Sequence, residues 1–376
     1  MKQRGAPFLL LLAVLLAGEA RAQESGTRAQ ARDADAVADN VLIVTFDGFR
    51  WQELFGGYDR AYNTKADGGV ADAAREPLAA RFYRATPEAR RETLLPFLWT
   101  VVAREGQVFG DATRKSRVRI TNGLWFSYPG YNEMLSGAPD PRVDSNDKKV
   151  NPNLTVLEWL NRRPGFEGTV AAYGSWDVLP FIVAAERSGV HTNGDGPAIL
   201  EPKSERDQLL NDVTDDLPHY WSGERFDAPT MQGALEYFRT RKPRVLYVML
   251  GETDEWAHGR RYDLYLDAAW RSDRFVRRLW ELAQSLPEYR GRTALVLATD
   301  HGRGSTPADW TDHGEKVPAA ESIWMAVMGP HTPALGVREG VQATQSQLAA
   351  TVAALLGLDF GAASPKAAPP LPDVSR

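Results

Sequence analysis

The sequence contains no cysteine among its 376 residues. This absence excludes a disulfide framework, thiolate metal sites and a cysteine nucleophile together. Without disulfides the fold must depend on a large hydrophobic core, and a chain of this length with 43% hydrophobic residues can supply one. The sequence has only six histidines, so histidines at short spacing are informative.

The sequence also lacks a strong net charge and a long apolar run. The formal net charge of −5 gives no extended field for holding nucleic acid or anionic lipid, so an anionic substrate must be bound locally. The apolar run at 8–16 is shorter than the roughly 20 residues of a membrane span. Two basic residues precede it and small residues follow at 20–22, which predicts a signal peptide over 1–22, with an uncleaved anchor as the alternative. We therefore expect an exported chain, periplasmic or secreted, that begins at Gln23 with a net charge of −7.

The rest of the chain reads as one large domain. Residues 23–39 are polar and alanine-rich, which indicates a flexible lead-in. The Pro/Ala-rich tail at 362–376 is expected to lie outside the core. Between them, 40–361 has no internal repeat and no long linker, and its charged, glycine-bearing stretches at 57–85 and 193–230 are interpreted as insertions.

Short apolar runs alternate with helical patterns along this domain. The helical patterns lie at 86–106, interrupted by Pro96, at 260–284, whose apolar face is broken by Asp273, and at 344–357. The apolar runs are rich in Val, Ile and Leu, as in strands buried on both faces, and lie at 40–46, 168–174, 244–250, 293–299 and 322–329. This alternation predicts an α/β fold with a doubly wound, mostly parallel sheet flanked by helices.

Polar residues follow three of the predicted strands where each strand ends. Ligands bind outside the carboxyl ends of strands in open α/β sheets. Asp254 and His258 are spaced four apart, so they would lie on one face of a helix. The six residues expected to converge are Asp47, Asp254, His258, Asp300, His301 and His313.

Carboxylate oxygens and imidazole nitrogens together suit zinc or another borderline divalent ion such as manganese or iron. Six ligands are too many for one tetrahedral zinc, but they suit two neighbouring ions that clamp both oxygens in a phosphoryl displacement. A lone aspartate after a strand, such as Asp47 taken by itself, is usually a turn former or a helix cap. Three Asp/His groups at strand ends favour a two-metal site.

Ser127, before a predicted short helix at 131–135, is the candidate nucleophile. A helix N-terminus favours an anion, and a nearby metal would lower the pKa of the hydroxyl. The alternative is that Ser127 only caps the helix.

The ordered set Asp47, Ser127, Asp254-x-x-x-His258, Asp300-His301 and His313 resembles the alkaline phosphatase superfamily, most closely its type I phosphodiesterase/nucleotide pyrophosphatase branch. The resemblance covers most of the chain, from 43 to 359, and implies the superfamily fold. It further implies that one ion is held by Asp47, Ser127, Asp300 and His301, and the other by Asp254, His258 and His313.

The resemblance also implies a reaction. Ser127 would attack phosphorus in a small-molecule phosphate mono- or diester, and water would hydrolyse the phosphoserine intermediate. An asparagine after the nucleophile contacts phosphate in the relatives. Our candidate is Asn146, with Asn132 and Asn151 as alternatives.

The sequence departs from the diesterase pattern, which has threonine followed by Phe-Pro-Asn-His where this chain has Ser127 followed by Tyr-Pro-Gly-Tyr. Ser-x-Pro is similar to the sulfatase signature, but that signature carries an arginine where this chain has Tyr131. A sulfatase is one alternative function, a non-catalytic metal-binding relative is another, and transfer of the phosphoryl group to an alcohol is a third.

Two further groups of residues have an open interpretation. The aromatic residues Trp125, Phe126, Tyr128 and Tyr131 either line the substrate pocket or pack around the helix. The basic residues Lys148, Lys149 and Arg303 would add positive charge near the ester, but we expect them to be solvated surface residues.

Overall fold

The computed structural model describes residues 37–375. The predicted signal peptide and most of the predicted 23–39 lead-in lie outside this range. Within it, no helix combines the length and the apolar content needed to cross a membrane.

The described strands, numbered in chain order, are β1 Asn40–Phe46, β2 Gln107–Phe109, β3 Arg117–Arg119, β4 Val170–Gly174, β5 His191–Asn193, β6 Val245–Leu250, β7 Thr293–Ala298, β8 Ser322–Ile323, β9 Met325–Met328, β10 Gly336–Val337 and β11 Gln342–Thr344. Eight of them form one sheet in the order β10-β2-β9-β7-β1-β6-β4-β5, and β11-β3-β8 form a small second sheet. In the large sheet β9 runs antiparallel to its neighbours β7 and β2, and the other pairs are parallel. The predicted mostly parallel α/β sheet is confirmed.

Helices cover the sheet. The longest are Tyr262–Ser285 and Asp227–Arg241, and a π-helical turn lies at Leu98–Val102 with short 3-10 helices at Arg60–Tyr62 and Ala112–Arg114. The remaining α-helices among the described residues are Trp51–Gly56, Lys65–Gly68, Asp72–Phe82, Pro87–Leu94, Ala103–Glu105, Ser127–Ser136, Val156–Asn161, Leu179–Ile182, Ala185–Ser188, Glu205–Asp215, Glu252–His258 and Gln347–Leu355.

β1 lies between β7 and β6, and its side chains reach both layers of the core. Leu42, Val44 and Phe46 belong to one hydrophobic cluster, whereas Val41 and Ile43 belong to the other. Successive side chains of a strand point to opposite faces, so a strand covered on both faces is mostly apolar along its length and not only at alternate positions. The run at 40–46, apolar at five of its seven positions, is the sequence signature of this position.

The run at 322–329 was expected to be one strand, but it splits at Trp324. Ser322–Ile323 pairs with β3 in the small sheet, and Met325–Met328 pairs with β7 and β2 in the large one. The Trp324 side chain is fully buried and its indole N–H donates to the carbonyl oxygen of Phe49 at 2.8 Å. The chain therefore changes sheets at the residue whose side chain anchors it beside β1.

Asp273, which interrupts the apolar face of the Tyr262–Ser285 helix, has a structural role. It is buried and its carboxylate accepts hydrogen bonds from the backbone N–H groups of Phe97 and Leu98, at 2.8 and 2.9 Å. These amides follow Pro96, where the predicted interruption of the 86–106 helix occurs, and would otherwise be buried without acceptors.

The expectation that the 362–376 tail lies outside the core is wrong. Leu371 and Val374 are buried in the same hydrophobic cluster as the Gln347–Leu355 helix. The backbone N–H of Leu371 donates to the hydroxyl of Thr351 at 2.9 Å. Prolines disfavour helix and sheet here, but a segment of turns and irregular backbone still covers apolar surface.

Candidate active site

The parallel strands β1, β6 and β7 bring the predicted residues to one edge of the sheet. Asp47 follows the last residue of β1, Asp300 lies two residues beyond β7, and Asp254 lies in the Glu252–His258 helix after β6. Since β6 and β7 both pair with β1 in parallel register, their carboxyl ends lie side by side. Six of the seven residues predicted as metal ligands reach this edge from these strands, and Ser127 reaches it from its own helix.

The first group consists of Asp47, Asp300 and His301, all buried, whose ligand atoms lie within 4.8 Å of one another. His301 Nε2 is 3.2 Å from Asp47 Oδ1 and 3.7 Å from Asp300 Oδ2. The second oxygen of each aspartate accepts a hydrogen bond from a group outside the set of proposed ligands. Asp47 Oδ2 accepts from the Tyr131 hydroxyl at 2.8 Å, and Asp300 Oδ1 accepts from the Gly48 N–H at 3.0 Å.

The inward-facing atoms of this group are all electron-pair donors. His301 Nδ1 lies 2.9 Å from the carbonyl oxygen of Gly302, which can only accept, so the ring proton is on Nδ1 and Nε2 carries a lone pair. Asp47 Oδ1 and Asp300 Oδ2 are buried and have no hydrogen-bond partner among the described residues. Burial, and then the charge of a nearby aspartate, raises the pKa of both carboxyls well above the usual range. Burial makes these two carboxylates costly to ionise, and a cation bound between them and His301 Nε2 would supply the missing counter-charge.

The second group consists of Asp254, His258 and His313. His258 Nε2 lies 3.0 Å from both Asp254 Oδ2 and His313 Nε2, and the i,i+4 spacing of Asp254 and His258 places both on one helix face, as predicted. The His313 ring stacks on the ring of His301 with centroids 4.0 Å apart. Burial, with the charge of His301, lowers the pKa of His313 to about 2, so its nitrogen is free to bind a metal. His301 and His313 also form a possible ligand group with Asp254, so the two groups are contiguous.

Arg303 was expected to be a solvated surface residue, and this expectation is wrong. Its guanidinium is fully buried, and it donates to Asp254 Oδ1, to the Asp254 carbonyl oxygen and to the Thr311 carbonyl oxygen. Lys148 and Lys149 are exposed, as expected. The difference arises because β7 carries Arg303 directly into the site, where Asp254 supplies a buried counter-ion.

Ser127 is the first residue of the Ser127–Ser136 helix, and the N-cap residue is Phe126, so Ser127 is not the cap. Its hydroxyl Oγ lies 3.4 Å from His301 Nε2. Gly130 sets this distance, because a Cβ at this position would lie only 2.5 Å from the Asp300 carbonyl oxygen. The helix can therefore pack directly against the main chain that carries the first group.

The loop before Ser127 is held in an unusual conformation. Trp125 has a φ of 54°, a region that a bulky residue rarely adopts. The side-chain oxygen of Asn122 accepts from the N–H groups of Leu124 and Trp125, at 2.8 and 3.1 Å. Glu133, buried in the helix, accepts from the Asn122 N–H at 2.9 Å. These contacts fix the approach of the chain to the nucleophile.

Asn146 lies beside the nucleophile. Its Oδ1 accepts from the Tyr128 N–H at 3.0 Å, and the residue is exposed. The two alternatives, Asn132 and Asn151, are buried, and their side chains already make hydrogen bonds within the fold. The Asn132 carbonyl accepts from Asn153, and the Asn151 amide donates to a backbone carbonyl.

The aromatic residues around Ser127 divide into two kinds. Tyr128 and Tyr131 are buried in the core, whereas Trp125 and Phe126 are half-buried. Packing is therefore the role of the two tyrosines, and Tyr131 additionally holds Asp47.

Sequence reasoning missed Glu133 and Glu224, and it placed Arg303 at the surface. Glu224 is buried with Oε1 lacking a partner among the described residues, and burial, Glu255 and Asp47 raise its pKa well above the usual range. One available signal was Arg303 directly after Asp300-His301-Gly. The other was Glu133, a charged residue in a helix whose other residues carry no charge.

No protein-family model matches this sequence, and no curated protein sequence matches it. Solved structures do match it. A protein in complex with its substrate D-glucosamine-2-N,6-O-disulfate has a TM-score of 0.54 and 12% identity over 90% of this chain and 80% of the other. The lipoteichoic acid synthase LtaP from Listeria monocytogenes has a TM-score of 0.50 and 12% identity over 88% and 75%.

Murine ectonucleotide pyrophosphatase/phosphodiesterase 5, an inactive variant in complex with AMP, also matches, with a TM-score of 0.50 and 12% identity over 88% of this chain and 96% of the other. Similarity at this level of identity concerns the fold alone. The neighbours belong to the superfamily that the ordered motifs resemble. The chain therefore has the fold of the alkaline phosphatase superfamily.

Proposed function

We propose that this chain is a metal-dependent hydrolase of phosphoric esters that uses Ser127 as its nucleophile. The observation that carries the proposal is the position of the Ser127 hydroxyl at a helix N-terminus, 3.4 Å from His301 Nε2. It lies beside buried carboxylate oxygens that have no hydrogen-bond partner within residues 37–375. A hydroxyl in this position is next to the place where a cation would bind, and coordination to that cation would lower the pKa of the hydroxyl.

Two ions fit the residues. Asp47, Ser127, Asp300 and His301 would hold one, and Asp254, His258 and His313 would hold the other. The mixed nitrogen and oxygen ligands favour Zn²⁺, and Mn²⁺ or iron would also suit them. When bound, such ions lower the pKa of coordinated oxygens and neutralise the charge that develops on the phosphoryl group.

The chain's own residues would position the reaction. The Ser127 hydroxyl would attack phosphorus and displace the alcohol, leaving phosphoserine, and water would then release phosphate or a phosphate monoester and regenerate the serine. Pro129 has no N–H and the Tyr128 N–H is already bonded to Asn146, so the helix start offers the ester few free amides. The side-chain amide of the exposed Asn146 would therefore be the donor to a phosphoryl oxygen.

Phosphoric esters are favoured over sulfate esters by the residue four positions after Ser127. The sulfatase signature carries an arginine there, and in this chain the position is Tyr131, which is buried and donates to Asp47. No basic side chain is thus available at that place to support conversion of the serine to formylglycine.

The test compares nitrophenyl phosphate, bis-nitrophenyl phosphate and nitrophenyl sulfate, with chelator and with added Zn²⁺. We expect turnover of a phosphate ester that chelator abolishes and Zn²⁺ restores, and loss of turnover in Ser127→Ala with retained folding and metal content. Full activity of Ser127→Ala would remove the serine from the mechanism. Turnover of the sulfate alone, with an aldehyde mass at position 127, would replace the proposal with a sulfatase.

Export remains a prediction from residues 1–22. The mass of the chain purified from the periplasm or the medium tests it, and a mature chain beginning at Gln23 is expected. A full-length chain in the cytoplasm would contradict it.

A further inference from the structure

Arg303 places a fixed positive charge inside the second metal group. Its side chain is fully buried, and its guanidinium donates to Asp254 Oδ1. Gly48 allows this pair to form, because a Cβ at this glycine would lie 2.5 Å from Asp254 Oδ1 and 2.9 Å from Arg303 Nε. A guanidinium remains charged in proteins, so this cation is permanent.

The contact determines which oxygen of Asp254 a metal can use. Oδ1, which Arg303 binds, also faces His301 Nε2 at 3.4 Å and His313 Nε2 at 3.9 Å. Oδ2 faces His258 Nε2 at 3.0 Å. A metal ion placed at Oδ1 would lie against the guanidinium. The atoms that remain available to a metal are Asp254 Oδ2, His258 Nε2 and His313 Nε2. The two histidine nitrogens lie 3.0 Å apart.

Among the described residues, neither Asp47 nor Asp300 forms an ion pair with an arginine or a lysine, although the charge of Arg303 also reaches Asp47. Asp47 Oδ1 and Asp300 Oδ2 lack any hydrogen-bond partner among the described residues. The groups that hold their other oxygens are the neutral Tyr131 hydroxyl and the Gly48 N–H. A buried carboxylate that forms no ion pair is strongly stabilised by a bound cation, whereas Asp254 is already paired with Arg303.

We infer that the two metal sites are unequal and that Arg303 causes the difference. The site of Asp47, Asp300, His301 and Ser127 fills first and binds tightly. The site of Asp254, His258 and His313 fills second and exchanges its ion, because like charges repel in a buried setting. This inference rests on the proposed two-metal function.

Metal binding is measured directly on the purified, chelator-stripped protein, by titration with Zn²⁺ in competition with a chromophoric chelator. We expect two steps whose dissociation constants differ at least tenfold. His258→Ala should remove the weak step and leave the tight step. Two equal steps, or loss of the tight step in His258→Ala, would overturn the inference.

Variants of Arg303 identify the cause. Arg303→Met removes the charge with similar side-chain length and should tighten the weak step at least tenfold, whereas Arg303→Lys keeps the charge and should leave it within about threefold of the parent. If Arg303 were only a clamp for the loop, Arg303→Met would weaken zinc binding, and that result overturns the inference. Circular dichroism confirms that both variants are folded.

Failure of the inference is distinguishable from failure of the proposed function. A chain that binds two Zn²⁺ ions and hydrolyses phosphate esters, with an unchanged weak step in Arg303→Met, refutes the role of Arg303 alone. A stripped chain that binds no Zn²⁺ at all refutes both.

Discussion

Gly130 offers a direct test of how the fold positions the nucleophile. It lies three residues after Ser127 in the same helix, where the helix touches the chain after β7. A Cβ at this position would lie 2.5 Å from the Asp300 carbonyl oxygen and 3.2 Å from its carbonyl carbon. Both are main-chain atoms that cannot rotate away. Gly130→Ala must therefore move the helix by roughly 0.5–1 Å to restore ordinary contact distances.

The size of the effect follows from two opposing terms. Overpacking of a close contact costs about 1–3 kcal/mol, and replacement of glycine by alanine inside a helix regains about 1 kcal/mol. The net loss of stability should be between zero and about 2 kcal/mol. A nucleophile displaced by about 1 Å loses on the order of 100-fold in rate. We expect a folded Gly130→Ala protein with kcat reduced roughly 10- to 100-fold.

The assay combines nitrophenyl ester hydrolysis with urea unfolding. Gly56 is the matched control, because it is also a helical glycine but a Cβ there would meet no atom within 4 Å. Gly56→Ala should keep full activity and equal or higher stability. Unchanged kcat in Gly130→Ala would refute the argument that contact between this helix and Asp300 fixes the position of Ser127.

Three further predictions concern stability. Tyr131→Phe leaves a second buried oxygen of Asp47 without its donor, so urea unfolding of the metal-free protein should show a loss of about 1–3 kcal/mol; an unchanged value would contradict this bond. Burial raises the pKa of Asp273 to about 7, so the folded chain keeps a proton that the unfolded chain loses near pH 4. Stability should fall as pH rises from about 4 to 7, by up to roughly 4 kcal/mol, and Asp273→Asn should lose this slope. Zn²⁺ at 100 times its dissociation constant should stabilise the protein by about 2.7 kcal/mol, detected as a Tm that chelator lowers, and an insensitive Tm would argue against the ion sites.

The sheet could be predicted from the sequence where strands are buried on both faces. The runs at 40–46, 244–250 and 293–299 are mostly apolar, without the alternation of a half-exposed strand, because β1, β6 and β7 are buried on both faces. The division of 322–329 at Trp324 could not be predicted, because it depends on an indole that reaches the Phe49 carbonyl far away in sequence. The expectation for the tail was wrong for a similar reason: Leu371 and Val374 pack into a hydrophobic cluster that only the folded domain assembles.

The candidate ligands could be identified because strand ends in a parallel sheet meet at one edge, so residue type and position after a strand are sufficient. The partners of these ligands could not be identified in this way. Arg303 is a basic residue in a polar segment, and sequence alone favours solvent for such a residue. Only the position of Asp254 beneath it gives the guanidinium a buried counter-ion.

By itself the sequence determined the class of fold and the set of groups that meet at its edge, because hydrophobic periodicity and the direction of parallel strands are local properties of the chain. The tertiary structure alone decided which atoms face inward and which are already satisfied. It assigned the proton of His301 to Nδ1, left Asp47 Oδ1 and Asp300 Oδ2 without partners in the described part of the chain, and paired Asp254 Oδ1 with Arg303. These outcomes depend on contacts between residues that are distant in sequence, and no local pattern encodes them.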